Sequence, residues 1–177
     1  NEARDLKLVA SNYHNRAYNN PELLIYNLKN SMNKLAAKIQ LEGGARIEGV
    51  ALIKPEQLLG IKIDKVTKIE KGSIYTKEKG GKQGEVLVLL ETYKELENYI
   101  SINSKFKINR QDYYNDIKQA ALISREIAEG SHGLRWNFAK RRMFEYGKAG
   151  YSYSDSLQEV SYEMKHNRAS ITEHYLC

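Results

Sequence analysis

Apolar residues at Leu24, Leu28, Leu35 and Ile39, with Met32 between, recur at helical spacing behind Pro21. That period puts them on one helix face and proline suits a first turn, so the spacing predicts an amphipathic helix over residues 21–41. Residues 2–15 carry a weaker helical pattern, and "YNNPE" is the joint between the two. "GGARIEGVAL" breaks and restarts the helical period, and "KPEQL" makes a turn. From Gly60 the pattern changes. "IKIDKVTKIEKGSIYTKEKGGKQGEVLVLL" is rich in β-branched residues and punctuated by Lys71-Gly72 and Gly80-Gly81. The two breaks predict a three-stranded antiparallel meander over residues 60–70, 73–77 and 85–89. "ETYKELENYI" returns to helix, and residues 101–110 read as a polar connector. Residues 111–129 and 133–146 read as helices and "GKAGYSYSD" as a loop, after which Ser154 or Asp155 caps a helix to about residue 165. Helices, a small sheet, then helices describe a mainly helical α+β fold.

The length of 177 residues suits one domain with a real core, and no internal repeat divides it. With 41% hydrophobic and 28% charged residues the composition is that of a soluble globular chain. No apolar run reaches the roughly 18 residues that span a bilayer, and no signal-peptide pattern opens the sequence. The lone cysteine, Cys177, forms no internal disulfide, and no Cys/His cluster has zinc spacing. These features lead us to expect a cytoplasmic protein with no membrane partner, metal or cofactor. The net charge of +6 suits a polyanion partner, although a solvated basic surface has the same composition.

Four places carry candidate chemistry. Arg46 follows Gly43-Gly44 at a helix junction, where its ordinary role is a surface ion pair with Glu42 or Glu48. "KEKGGKQG" offers Lys77, Lys79 and Lys82 at a hairpin tip, without the Gly-x4-Gly-Lys-Ser/Thr spacing of a phosphate-binding P-loop. His132 and Arg135 stand three apart and share a helix face, followed by the basic run Lys140-Arg141-Arg142. That run suits either backbone contacts to DNA or a solvated face. The tail "SYEMKHNRASITEHYLC" alternates apolar anchors (Val160, Met164, Ile171, Leu176) with His166 and Tyr175. Those two groups can move protons or attack a phosphate.

Taken in order, "GGARIEGVALIKPEQL", "KEKGGKQGEVLVL", "HGLR" and "EMKHNRASITEHYL" resemble the catalytic domain of the tyrosine recombinases, the phage-integrase family, over about residues 30–176. The resemblance matches Arg46 to the first family arginine and His132 and Arg135 to the His-x-x-Arg motif. His166 matches the second histidine, Tyr175 the nucleophile and Lys79 the catalytic hairpin lysine, with Lys77 and Lys82 as rivals. The sequence departs from the family pattern in several places. Gly49 stands where an acidic residue often follows the first arginine, with Glu48 one place early. Trp136 stands where histidine is common, and Met164-Lys165-His166 replaces Leu-Gly-His. The interval from Arg135 to His166 is also several residues longer than usual.

The resemblance implies a site-specific DNA recombinase or integrase that works through a 3′-phosphotyrosyl intermediate, without metal or nucleotide cofactor. Arg46 and Arg135 would clamp the nonbridging oxygens, His132 would accept the tyrosine proton, Lys79 would protonate the departing 5′-oxygen, and His166 would bond the phosphate or hold the site. A type IB topoisomerase shares this chemistry, and a non-catalytic basic DNA-binding domain is the rival from another class. The implied partner is double-stranded DNA, with a tetramer on DNA for the full-length protein. Residues 1–177 are expected to be one catalytic domain, monomeric alone, lacking the N-terminal core-binding domain and the C-terminal tail. The segment from about Ser170 is expected to be loosely held.

Overall fold

The computed structural model describes residues 15–166 and 169–176, so the weak helix expected over residues 2–15 falls almost wholly outside the described residues. The helix expected over residues 21–41 is two helices, α1 (Pro21–Tyr26) and α2 (Ser31–Gly43). Asn20 caps α1 by accepting the Leu23 N–H, and Asn30 caps α2 by accepting the Met32 N–H. Each cap satisfies an amide that a first turn leaves open, which is why the chain can restart here. Asp116 fixes the break by accepting the Lys29 and Asn30 N–H groups. The apolar stripe survives it: Leu24, Leu28, Leu35 and Ile39 are all buried.

Beyond α2 come α3 (Ile47–Val50), β1 (Leu52–Ile53) and a 3-10 turn at Pro55–Gln57. The expected three-stranded antiparallel sheet follows in the order β2 (Leu58–Ile63), β3 (Glu70–Lys77), β4 (Gln83–Leu89). Its first turn lies over residues 64–69, before the expected break at Lys71-Gly72. Asp64 builds that turn, its carboxylate accepting the Val66 N–H and the Thr67 hydroxyl while its carbonyl accepts the Lys68 N–H. Gly72 lies inside β3 for a packing reason. Tyr93, on α4 (Leu90–Asn103), presses against it so closely that a Cβ at position 72 would meet the tyrosine side chain at 2.1 Å.

The expected polar connector contains β5 (Phe106–Lys107), which pairs antiparallel with β1 because Phe106 and Ile108 are drawn into the core. Then come α5 (Arg110–Ile123), α6 (His132–Lys148), α7 (Tyr153–Glu163), α8 (Ala169–Glu173) and a 3-10 turn at His174–Leu176. α5 stops short of residue 129. Arg125 turns left-handed (φ 57°) and Glu126 swings its carboxylate onto the Asn19 and Asn20 N–H groups. Ser152 caps α7, taking the Asp155 N–H, in place of the expected Ser154 or Asp155.

Two apolar clusters hold these parts together, each buried aliphatic side chain contributing about 1.5–3 kcal/mol. The larger joins α1, α2, α4, α5 and the sheet and takes in Leu134. The smaller gathers Val66, Trp136, Phe138, Tyr146, Val160, Met164 and Tyr175. α6 therefore lies along the seam, and Arg135 sits between neighbours that belong to different clusters. The basic run later in α6 turns inward. Arg142 is buried against Asp64, and Arg141 donates to the Leu41 and Glu42 carbonyls at the end of α2. Among the described residues no helix is long and apolar enough to cross a membrane.

Candidate active site

The fold gathers Arg46, His132, Arg135, His166 and Tyr175 at the seam between the two clusters. Arg46 stands at the start of α3, in extended conformation, because Gly44 ends α2 in the left-handed region and redirects the chain. His132 opens α6, and Arg135 lies one turn later on the same face. His166 follows the end of α7, whose final turn delivers the Met164 carbonyl into the site. Tyr175 is brought back by α8, with Thr172 and Tyr175 both buried, so the tail is anchored by its own side chains.

Arg135 is 1% exposed, and each of its three nitrogens donates one hydrogen bond. Its Nε donates to the Gly44 carbonyl at 2.7 Å, one terminal nitrogen donates to the Met164 carbonyl at 3.1 Å, and the other to the Tyr175 hydroxyl at 3.1 Å. Arg46 donates to the same Met164 carbonyl at 3.3 Å, so the two guanidiniums lie side by side. The Tyr175 hydroxyl also lies 2.9 Å from His132 Nε2. Around the tyrosine ring stand His132, Trp136 and His166, with centroids 5.1, 5.2 and 5.1 Å away. Trp136 thus walls the tyrosine where the family pattern has histidine. His166 Nδ1 pairs with Thr172 Oγ1 at 2.7 Å, while its Nε2 is buried without a partner among the described residues.

The electrostatics follow from burial among cations. Desolvation, aided by the charges of Arg135, Arg16 and Arg46, pushes His132 down to about 4. Burial, then Arg135 and Arg46, then Lys82, push His166 down to about 3. Both imidazoles are therefore neutral near pH 7, and a neutral His132 can take a proton from the hydroxyl beside it.

Lys79 opens the 3-10 turn at the tip of the β3–β4 hairpin, and its side chain lies outside the described ones. Of its rivals, Lys82 lines a hollow with Lys165 and His166, and burial, then the charges of Arg46 and Arg135, lower its pKa. Lys77 points elsewhere, lining a hollow with Glu48, Lys54 and Tyr75. Two residues outside the sequence expectation complete the site. Glu78, 6% exposed, accepts the Arg46 N–H at 2.8 Å, and Lys165 Nζ lies 3.0 Å from its other oxygen. Lys165 holds a left-handed conformation (φ 59°) at the end of α7. Motif spacing does not reveal Glu78, because it lies 32 residues from Arg46, at the entry to the β3–β4 turn. Its position directly beside Lys79 was the only available signal. Glu48, the acidic residue nearest Arg46 in sequence, instead lies 3.6 Å from Arg110. Among the described residues no group of three or more His, Cys, Asp or Glu could hold a metal ion.

No protein-family model matches the sequence, and no curated protein matches it significantly. Solved structures do. XerH site-specific recombinase, in its post-cleavage complex with palindromic difH substrate, matches with a TM-score of 0.64 at 17% identity, covering 88% of this chain and 46% of that one. XerA recombinase matches with a TM-score of 0.64 at 13% identity, over 93% of this chain and 60% of that one. A lambda integrase dimer bound to a COC′ core site matches with a TM-score of 0.64 at 14% identity, over 91% and 47%. The chain thus spans about half the length of the proteins it matches, and at these identities the likeness is one of fold. That fold is the α+β fold of the tyrosine recombinase catalytic domain.

Proposed function

We propose that this chain is the strand-cleaving and strand-joining domain of a site-specific DNA recombinase or integrase. The observation that carries the reading is the Tyr175 hydroxyl, set between neutral His132 and charged Arg135 within one chain. Tyr175 Oη attacks phosphorus and its proton passes to His132 Nε2. The P–O5′ bond breaks, leaving a 3′-phosphotyrosyl ester, and the departing 5′-oxygen takes a proton from the hairpin. Attack by another 5′-hydroxyl reverses the step and joins the strands, so the bond energy is conserved without a nucleotide cofactor. A phosphodiester gains negative charge in the transition state. Arg46, Arg135 and His166 Nε2 offer donors to its nonbridging oxygens, and the guanidiniums stay charged at any working pH. The partner is double-stranded DNA, gripped through phosphates by a chain of net charge +6, and the full-length protein works as a tetramer on it.

A nicked suicide substrate tests the reading. Once cleavage releases the short strand, religation is lost, and a denaturing gel should show a covalent protein–DNA adduct. A chain that binds the substrate and never forms an adduct would be a binding domain only.

The source of the leaving-group proton can be assigned separately. We assign it to Lys79, with Lys82 as the rival that lies within electrostatic reach of both arginines. Alanine at the true donor should slow cleavage of ordinary DNA by about 10²- to 10⁴-fold, the usual worth of general acid catalysis. A 5′-bridging phosphorothiolate should restore the rate, because sulfur leaves without protonation. Lys77→Ala should show little defect. Rescue specific to Lys82→Ala would transfer the role to Lys82.

A further inference from the structure

Glu78 is a buried carboxylate with both oxygens engaged, one of them on Arg46. Oε1 accepts the Arg46 N–H at 2.8 Å and lies 3.6 Å from the Arg46 guanidinium. Oε2 accepts the Thr76 hydroxyl at 2.7 Å and pairs with Lys165 at 3.0 Å. The residue three places after Arg46 is Gly49, and the glycine makes the arrangement possible. A Cβ at position 49 would lie 2.9 Å from Glu78 Cγ and 3.0 Å from Thr76 Cβ. Any larger residue there would displace the carboxylate from Arg46.

We infer that Glu78 is a positioning residue, which holds Arg46 beside Arg135 from the entry to the β3–β4 turn. The inference rests on the proposed cleavage chemistry for its kinetic consequence and on geometry for the rest. Arg46 has a long, flexible side chain that also donates to the Met164 carbonyl, itself shared with Arg135. Without an anchor it would sample many rotamers, and ordering it at each turnover would slow the reaction. Glu78 fixes both ends of the residue, backbone and guanidinium. Thr76 and Lys165 fix Glu78 in turn, so its own rotamer is set by packing and charge. Glu78 also closes the hairpin, its N–H donating to the Lys82 carbonyl at 2.6 Å. A shift of the lysine-bearing tip therefore moves the group that aims Arg46.

The test is single-turnover cleavage by a pre-bound complex, as a double-mutant cycle. Glu78→Gln keeps the size of the side chain and should slow cleavage roughly 10- to 100-fold with DNA affinity nearly unchanged. In an Arg46→Ala background the same change should cost about twofold or less, because the group it positions is gone. Gly49→Glu combined with Glu78→Ala places a carboxylate in the same space from the other side and should recover much of the loss. This variant also serves where Glu78→Gln weakens the fold. A Glu78→Gln protein that cleaves at the wild-type rate, or losses that multiply in full with Arg46→Ala, would overturn the inference while leaving the proposed function intact. Should the wild type form no adduct, the proposed function fails and the guanidinium NMR signals of Arg46 decide the matter. Glu78→Gln should shift and broaden them, and unchanged signals would overturn the positioning role.

Discussion

Arg135→Ala should lower the cleavage rate of a DNA-bound complex by about 10²- to 10³-fold, the scale set by removing a charged donor from a developing oxyanion. The substitution removes more than a charge. Arg135 ties Gly44, Met164 and Tyr175 together, so its loss opens a cavity at the seam, removes the donor to the Gly44 carbonyl and leaves the Met164 carbonyl to Arg46 alone. A fall in melting temperature should accompany the loss of rate. Arg135→Lys separates the two effects. Lysine restores the positive charge but cannot reach three acceptors in one plane, so it should recover DNA affinity without recovering the rate. A lysine variant that cleaves like the wild type would show that charge alone suffices and that the forked geometry has no role.

Asp64→Asn should cost about 3–5 kcal/mol of stability, because it leaves buried cations without their counter-charge. Asp64 is fully buried. Arg142 donates to it at 2.8 and 3.0 Å, and Lys71 lies 2.8 Å away. Burial alone would push the Asp64 carboxyl up, but Arg142 and Lys71 overcome that and hold it far below the usual carboxylate range. The sign of the pH dependence follows. With a folded-state pKa depressed from an unfolded value of about 3.9, the contribution is fully present above that value. It is lost only as pH falls below it, toward the folded pKa. Asparagine preserves the hydrogen bond to the Val66 N–H, so the loss reports the charge together with the bonds that Oδ2 accepts from Arg142, Lys71 and Thr67. Denaturant unfolding at pH 7 measures it, and a change below about 1 kcal/mol would show that Glu163, bonded to Arg142 Nε at 2.7 Å, compensates.

These two sites differ in how far the sequence revealed them. Arg135 is legible because its signal is local: three residues apart on a helix, His132 and Arg135 share one face whatever surrounds them. Arg46, His166 and Tyr175 are read only through the resemblance, and the fold brings all three to the seam beside Arg135. Arg142 was not legible. In sequence it belongs to a basic run, and only the inward rotation of α6 pairs it with a carboxylate in a turn 78 residues away. Gly72 misled for a related reason. A glycine beside lysine in a β-rich stretch reads as a turn, yet here it makes room for Tyr93 across the sheet. The true turn is signalled by Asp64, whose side chain does locally what glycine was expected to do. Glu78 lies between these cases, adjacent to a recognised motif but connected to Arg46 only through space.

The most direct measurement of the central claim is to identify both ends of the cleaved bond. The account predicts that an adduct trapped on a nicked substrate will yield, after proteolysis, a peptide carrying DNA on Tyr175. The opposite strand end should bear a free 5′-hydroxyl, and Tyr175→Phe should abolish the adduct while DNA binding persists. An adduct on another residue, a 5′-phosphate at the break, or undiminished adduct from the Phe variant would contradict it.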